Sequence, residues 1–180
     1  MCIRDSSEPA PRDLEQAREL TRNAIAGIRR FVQDLRPPAL DHLGLVAALE
    51  GLADDMTARE GIRAELVVEG VPQRPAPEAE MALFRIAQEA LNNVRRHANA
   101  SRALIRLTFH PGAVQMTISD DGCGFAAPQR IGDLATTGRL GLIGMYERAR
   151  TLGGELSIQA EPGRGTTVTA RLPVQPERSG

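Results

Sequence analysis

Residues Leu83 to Ala98, LFRIAQEALNNVRRHA, read as one helix with two faces. Leu83, Ile86, Ala87, Ala90, Leu91 and Val94 recur at helical spacing and make one apolar stripe. Glu89 and Asn93 are four apart, so they stand one turn above each other on the other side. Arg95, Arg96 and His97 bring positive charge to the negative end of the helix. A carboxylate, an amide one turn on and basic groups a turn later suit a metal-phosphate site. The carboxylate can polarise a nucleophile or water, the amide oxygen can ligate Mg²⁺, and the basic groups can meet phosphates. An ordinary amphipathic helix with a solvated polar face has the same pattern. The choice between the two depends on residues downstream, at Asp120 and Gly141.

Composition narrows the surroundings of that helix. The chain has 180 residues, enough for one domain with a sizeable core and a small appendage. It is 42% hydrophobic and 25% charged, as soluble globular proteins are. A net charge of −1 gives no electrostatic case for nucleic acid or for an anionic membrane. No apolar run approaches the roughly 18 residues that span a bilayer. The opening MCIRDSSEPAPRD lacks the apolar centre of a secretory signal. Cys2 and Cys123 are far apart and without paired spacing, which argues against a disulfide framework or a zinc site and fits a reducing cytosol. All 22 basic residues are arginine. A Walker phosphate loop, the third strand of an ordinary protein kinase and Schiff-base catalysis each need lysine, so all three are excluded.

Upstream of the helix, residues 1–10 are expected to be disordered. Pro11 to Arg36 reads as one long helix whose seam is Leu14, Ala17, Thr21, Ala24, Ile28, Phe31 and Leu35. Such a seam needs a partner, either the domain that follows or a second subunit. Pro37 and Pro38 stop it, Ala39 to Gly44 form a short connector, and Leu45 to Arg59 make a second helix. Ile62 to Glu69 is β-rich, and three prolines make 70–77 a loop.

Downstream, Ser101 to Phe109 and Ala113 to Ser119 alternate and form a hairpin about Pro111-Gly112. DDGCGF, residues 120–125, follows directly. Its glycines let the backbone approach a flat ligand, and Asp120 can accept a hydrogen bond from an exocyclic amine; a plain β-turn would look the same. Residues 126–138 read as a mobile loop. Leu140 to Leu152 is a helix with glycines at 138, 141 and 144 around its start, where free amides make a phosphate cradle. Glu155 to Ala160 and Thr166 to Leu172 are two more strands, joined by EPGRG, and a polar tail follows.

QEALNNVRRH, DDGCGF, GRLGLIGMYERA and GRGTTVTARLP stand in the order of the N, G1, G2 and final glycine boxes of the GHKL ATP-binding fold. The chain therefore resembles the catalytic domain of a bacterial two-component sensor histidine kinase. DLRPPALDHLGLVAAL resembles the segment that joins the dimerisation helices to that domain in nitrate-sensor and desaturase-sensor kinases. The likeness covers roughly residues 14 to 173. It implies an α/β (α+β) fold, a Bergerat-type two-layer sandwich of mixed sheet and helices, preceded by a long dimerisation-type helix. The implied boundaries are 11–43 for the second dimerisation helix and linker, 44–175 for the ATP-binding domain and 176–180 for the tail.

The resemblance also implies roles. Glu89 matches the acidic residue that polarises the phosphate-accepting group, and Asn93 matches the Mg²⁺ ligand. Arg96 and His97 match a basic pair near the phosphates, although the family more often has Lys at the first of these positions. Asp120 matches the adenine-amine acceptor, with Gly122 and Gly124 shaping the pocket. Gly138, Gly141, Leu142 and Gly144 match the lid over the phosphates, and Thr167 the polar position of the last box. ATP and Mg²⁺ are the implied ligands. The implied partners are a response regulator and a second copy in the full-length kinase, with no nucleic acid and with membrane attachment only through upstream regions. The implied location is cytoplasmic. The family's phospho-accepting His lies on a first dimerisation helix. His42, His97 and His110 do not lie on a long seam helix, so the acceptor is expected outside this chain. Other GHKL ATPases and anti-sigma-type serine kinases are the alternatives; the first bring a transducer domain, and the second lack the LRPPAL linker.

Overall fold

The computed structural model describes residues 37–126 and 140–174. The expected helix over Pro11 to Arg36, the loop at 127–139 with Gly138, and the tail lie outside the described residues.

The described elements are α1 (Pro38–Glu60), β1 (Arg63–Glu69), α2 (Pro77–Asn93), β2 (Arg102–His110), β3 (Ala113–Asp120), α3 (Leu140–Thr151), β4 (Glu155–Ala160) and β5 (Thr166–Pro173). Five strands form one sheet in the order β1-β2-β3-β5-β4. β1 runs parallel to β2, and every other neighbouring pair is antiparallel. The sheet is therefore mixed, with a crossover through α2 between its two parallel strands.

Helices cover one face of this sheet, and strand periodicity decides which side chains meet them. Ala103, Ile105, Leu107 and Phe109 alternate along β2 and are all buried, as are Val114, Met116 and Ile118 of β3 and Val168, Ala170 and Leu172 of β5. The residues between them face outward and are mostly polar, including Arg106, Thr117, Thr169 and Arg171. The apolar stripe of α2 lands on that inner face. Leu83, Ile86, Ala87, Ala90, Leu91 and Val94 are each at most 4% exposed. Burying a Leu or Ile side chain this fully stabilises by about 1.5–3 kcal/mol.

The connector expected at Ala39 to Gly44 is corrected. It is the first part of α1, and Gly44, at φ 79° and ψ −179°, kinks the helix. Pro38 suits a first helical position because the N–H it lacks would have no intrahelical partner there. Leu40 is fully buried and anchors this turn to the core. α2 starts at Pro77, the last residue of the stretch expected to be a loop, for the same reason. Its Glu80 is buried and pairs with Arg74 Nε at 3.4 Å. Among the described residues no helix is long and apolar enough to cross a membrane.

Candidate functional site

α2 does not run on to Ala98 as one α-helix. After Asn93 the chain widens into a single π-helical turn, Val94–Ala98, which ends at Asn99 in the left-handed region (φ 49°, ψ 40°). Val94 and Ala98 of this turn are buried, while Arg96 and His97 stay exposed on the wall of a cleft of about 560 Å³.

The cleft has three sides. Glu89, Asn92, Asn93, Arg96 and His97 form the helical wall. Ile118 and Val168 from the sheet, with Asp120, Gly124, Phe125 and Thr166, form the floor and one end. Gly141 and Leu142, at the start of α3, close the opposite side. Glu89 and Asn93 share a wall because they are one helical turn apart, and the π-helical turn carries Arg96 on the same wall. Asp120 reaches the same space because β3 ends there, in register with Ala103 of β2.

Burial is the main influence on the Asp120 carboxyl and raises its pKa. Hydrogen bonds from the backbone N–H groups of Gly122 (2.9 Å to Oδ1) and Thr166 oppose the rise, and the neighbouring charge of Asp121 adds to it. An ionised Asp120 therefore gains from a further donor.

Two glycines are explained by contact. A Cβ on Gly122 would overlap the carbonyl and side chain of Ala98, so the chain after β3 lies directly against the end of the π-helical turn. A Cβ on Gly141 would overlap the carboxylate of Glu89. The start of α3 can rest on Glu89 only because position 141 lacks a side chain. The colliding atoms are the mobile end of Glu89, so Gly141→Ala is expected to preserve the fold and displace that carboxylate. Stability should change by less than about 1 kcal/mol, read by thermal unfolding. A larger loss would mean that Glu89 cannot move aside and that the contact holds the fold.

Three other residues selected from the sequence do not line the cleft. Gly122 shapes it from behind, and Gly144 faces the guanidinium of Arg148. Thr167 pairs with Ser119 on β3 and lies on the outer face of the sheet, whereas Thr166 lines the cleft. Alternation along β5 gives the reason, because Thr166 shares its side with the buried Val168, Ala170 and Leu172. That signal was present in the strand pattern. Asn92 was the other omission; it lies three residues after Glu89 and faces the cleft beside Asn93.

The donor set bears on a metal. Among the described residues no group of three or more His, Cys, Asp and Glu is placed to hold an ion. Glu89 and Asn93 lie one turn apart in an open polar cleft, which cannot form an all-protein cage. It fits Mg²⁺, which keeps several waters and takes few protein oxygens beside those of a phosphate chain.

A family model described as histidine kinase-, DNA gyrase B-, and HSP90-like ATPase matches residues 78–176. The chain is 39% identical over 176 residues to the sensor histidine kinase MctS of Rhizobium johnstonii, covering 98% of this chain and 38% of that protein. It is 33% identical over 170 residues to the signal transduction histidine-protein kinase/phosphatase DegS of Brevibacillus brevis, covering 94% of this chain and 43% of that one. The histidine kinase domain of the Erythrobacter litoralis EL346 blue-light activated histidine kinase superposes with a TM-score of 0.56 at 25% identity, over 72% of this chain and 61% of that chain. The chain spans about two-fifths of the length of these two curated relatives.

Proposed function

Since the chain belongs to the histidine kinase-, DNA gyrase B- and HSP90-like ATPase family, we propose that its cleft binds Mg-ATP and directs the γ-phosphoryl group to a histidine in two-component signalling. The chain is an ATPase domain of the histidine-kinase type, and its sensor-kinase relatives support the transfer reaction. One observation carries the reading: a single cleft holds Glu89, Asn93, Arg96 and His97 on one wall, with Asp120 at its end.

In this reading Asp120 accepts the adenine amine, and Arg96 and His97 meet the phosphates. Asn93 is the protein ligand of Mg²⁺, and Glu89 takes the proton of the attacking group. Mg²⁺ held there would supply charge neutralisation to the phosphate chain. Gly141 and Leu142 at the start of α3 bound the phosphate side. The acceptor is a histidine other than His42, His97 or His110. His42 lies in α1, His97 on the cleft wall and His110 at the hairpin, which supports an acceptor on a separate helix. A response regulator is the proposed partner, and a second copy of the longer kinase the proposed dimer mate.

Asp120 provides the test. A carboxylate accepts from the adenine amine but opposes the oxygen at the same place in guanine, and a hydrogen bond to a charged group is worth roughly 1.5–3 kcal/mol. Calorimetric titration should show ATP preferred over GTP, and Asp120→Asn should weaken ATP binding by about tenfold on that scale. The pH dependence has a definite sign. A carboxyl raised by burial adds stability below its ordinary pKa, and that contribution is lost as pH rises through the raised value. ATP binding favours the ionised form, so affinity should fall as pH is lowered through the raised value, above the ordinary aspartate pKa. Equal competition by GTP and ATP would overturn the adenine assignment.

A further inference from the structure

Two aspartates follow one another where β3 ends, and only the first enters the cleft. Asp121 faces the other way and grips a turn. Its Oδ1 accepts hydrogen bonds from the backbone N–H groups of Ser101 and Arg102, both at 2.8 Å, and its Oδ2 accepts from Ser101 Oγ at 2.6 Å. The Asp121 N–H donates in turn to the Arg102 carbonyl at 3.3 Å. Two residues on, the Cys123 N–H donates to the Ala98 carbonyl at 2.7 Å, and its thiol donates to the His97 carbonyl at 3.2 Å.

The gripped segment, residues 97–102, is the exit from the π-helical turn that carries Arg96 and His97. It contains Asn99, which reverses the chain in the left-handed region, and such a reversal needs neighbours to hold it. Asp120, on the gripping side, carries the opposite end of the cleft. We propose that Asp121, acting with Ser101, is a positioning residue that sets the separation between the adenine end and the phosphate end of the cleft. This rests on the Mg-ATP reading above. A nucleotide touching both ends behaves as two linked ligands, and its affinity depends on both ends engaging at once. A looser clasp costs joint binding and leaves each end intact.

The bond from the Ser101 hydroxyl, followed by that from the Arg102 N–H, holds the Asp121 carboxyl below its ordinary pKa. Its stabilising effect is therefore present above the ordinary carboxylate pKa and lost only as pH falls through the lowered value, so the clasp stays closed at neutral pH.

The test uses the 180-residue chain, titrated with Mg-ATP by calorimetry and with adenosine by NMR. Asp121→Ala should lose about tenfold in Mg-ATP affinity while adenosine affinity stays within about twofold. Asp121→Asn should recover most of the loss, because its amide oxygen still accepts from the Ser101 and Arg102 N–H groups. Thr57→Ala removes bonds to the Ala53 carbonyl and the Ala64 N–H, away from the cleft, and should lower stability without moving either affinity. Should Asp121→Ala fail to fold, Ser101→Ala deletes a single bond of the clasp and is read by the same ratio. Unchanged Mg-ATP affinity in a folded variant, or parallel loss of Mg-ATP and adenosine affinity, overturns the clasp alone. A wild-type chain that binds no ATP overturns the cleft reading and the clasp with it.

Discussion

Glu89→Gln is expected to bind Mg-ATP much as the wild type does and to lose phosphoryl transfer by roughly 10²–10⁴-fold. The substitution removes a proton acceptor and almost no volume. Glu89 lies half-buried on the cleft wall against Gly141, so the neutral amide can occupy the same space. Asn93→Ala should show the opposite pattern. Mg²⁺ takes few protein ligands, so loss of the Asn93 oxygen should abolish the Mg²⁺-dependent part of ATP binding. Calorimetry with and without Mg²⁺ reads the second effect. The first is read with radiolabelled ATP and a fragment bearing an acceptor histidine, as acid-labile, base-stable label. Normal transfer by Glu89→Gln would remove Glu89 from the chemistry, and equal Mg-ATP affinity for Asn93→Ala would remove the metal assignment.

Gly124→Ala is expected to be among the most damaging single-methyl changes in the molecule. Gly124 has φ 58°, and a Cβ there would overlap the carbonyl of Glu161 and come within 2.7 Å of the carbonyl of Gly165. Both are backbone atoms, and the Gly163 N–H donating to the Cys123 carbonyl at 2.7 Å holds the two segments together. Neither can yield as a side-chain tip can. The left-handed conformation costs a non-glycine residue about 1–2 kcal/mol, and forced overpacking adds roughly 1–3 kcal/mol. At about 2–4 °C per kcal/mol, thermal unfolding should move down by roughly 5–15 °C. Gly112→Ala separates the two contributions, since Gly112 has φ 75° with nothing within 4 Å of the added methyl. It should show only the conformational cost. If the two variants melt alike, the close approach of the glycine loop to the turn at 161–165 is not what shapes this end of the cleft.

Much of the fold was legible because its signals are local. The hairpin about Pro111-Gly112, the strand at Arg63–Glu69, the strand pair after Gly154 and the apolar stripe of α2 all follow from periods of 2.0 and 3.6 and from turn residues. The stretch Ala39 to Gly44 differs from the expected connector because paired prolines fit the end of one helix and Pro38 equally suits the start of the next. The π-helical turn after Asn93 was not legible either, since its buried residues, Val94 and Ala98, are four apart, a spacing an α-helix also gives.

By itself, the sequence determined which residues share a face: Glu89 and Asn93 along one helix, and alternate residues along each strand. The absence of lysine also determined which phosphate chemistries are excluded. Only the tertiary structure decided that Asp120 and Gly141 line one cleft with that helical wall, because the three lie on elements far apart in the chain. Asp121 had no local signal at all, as its partners Ser101 and Arg102 lie 20 and 19 residues away. Helix and strand periods are set by the backbone of one segment. A cleft is set by how segments dock, and that depends on packing and hydrogen bonding between residues no local pattern relates.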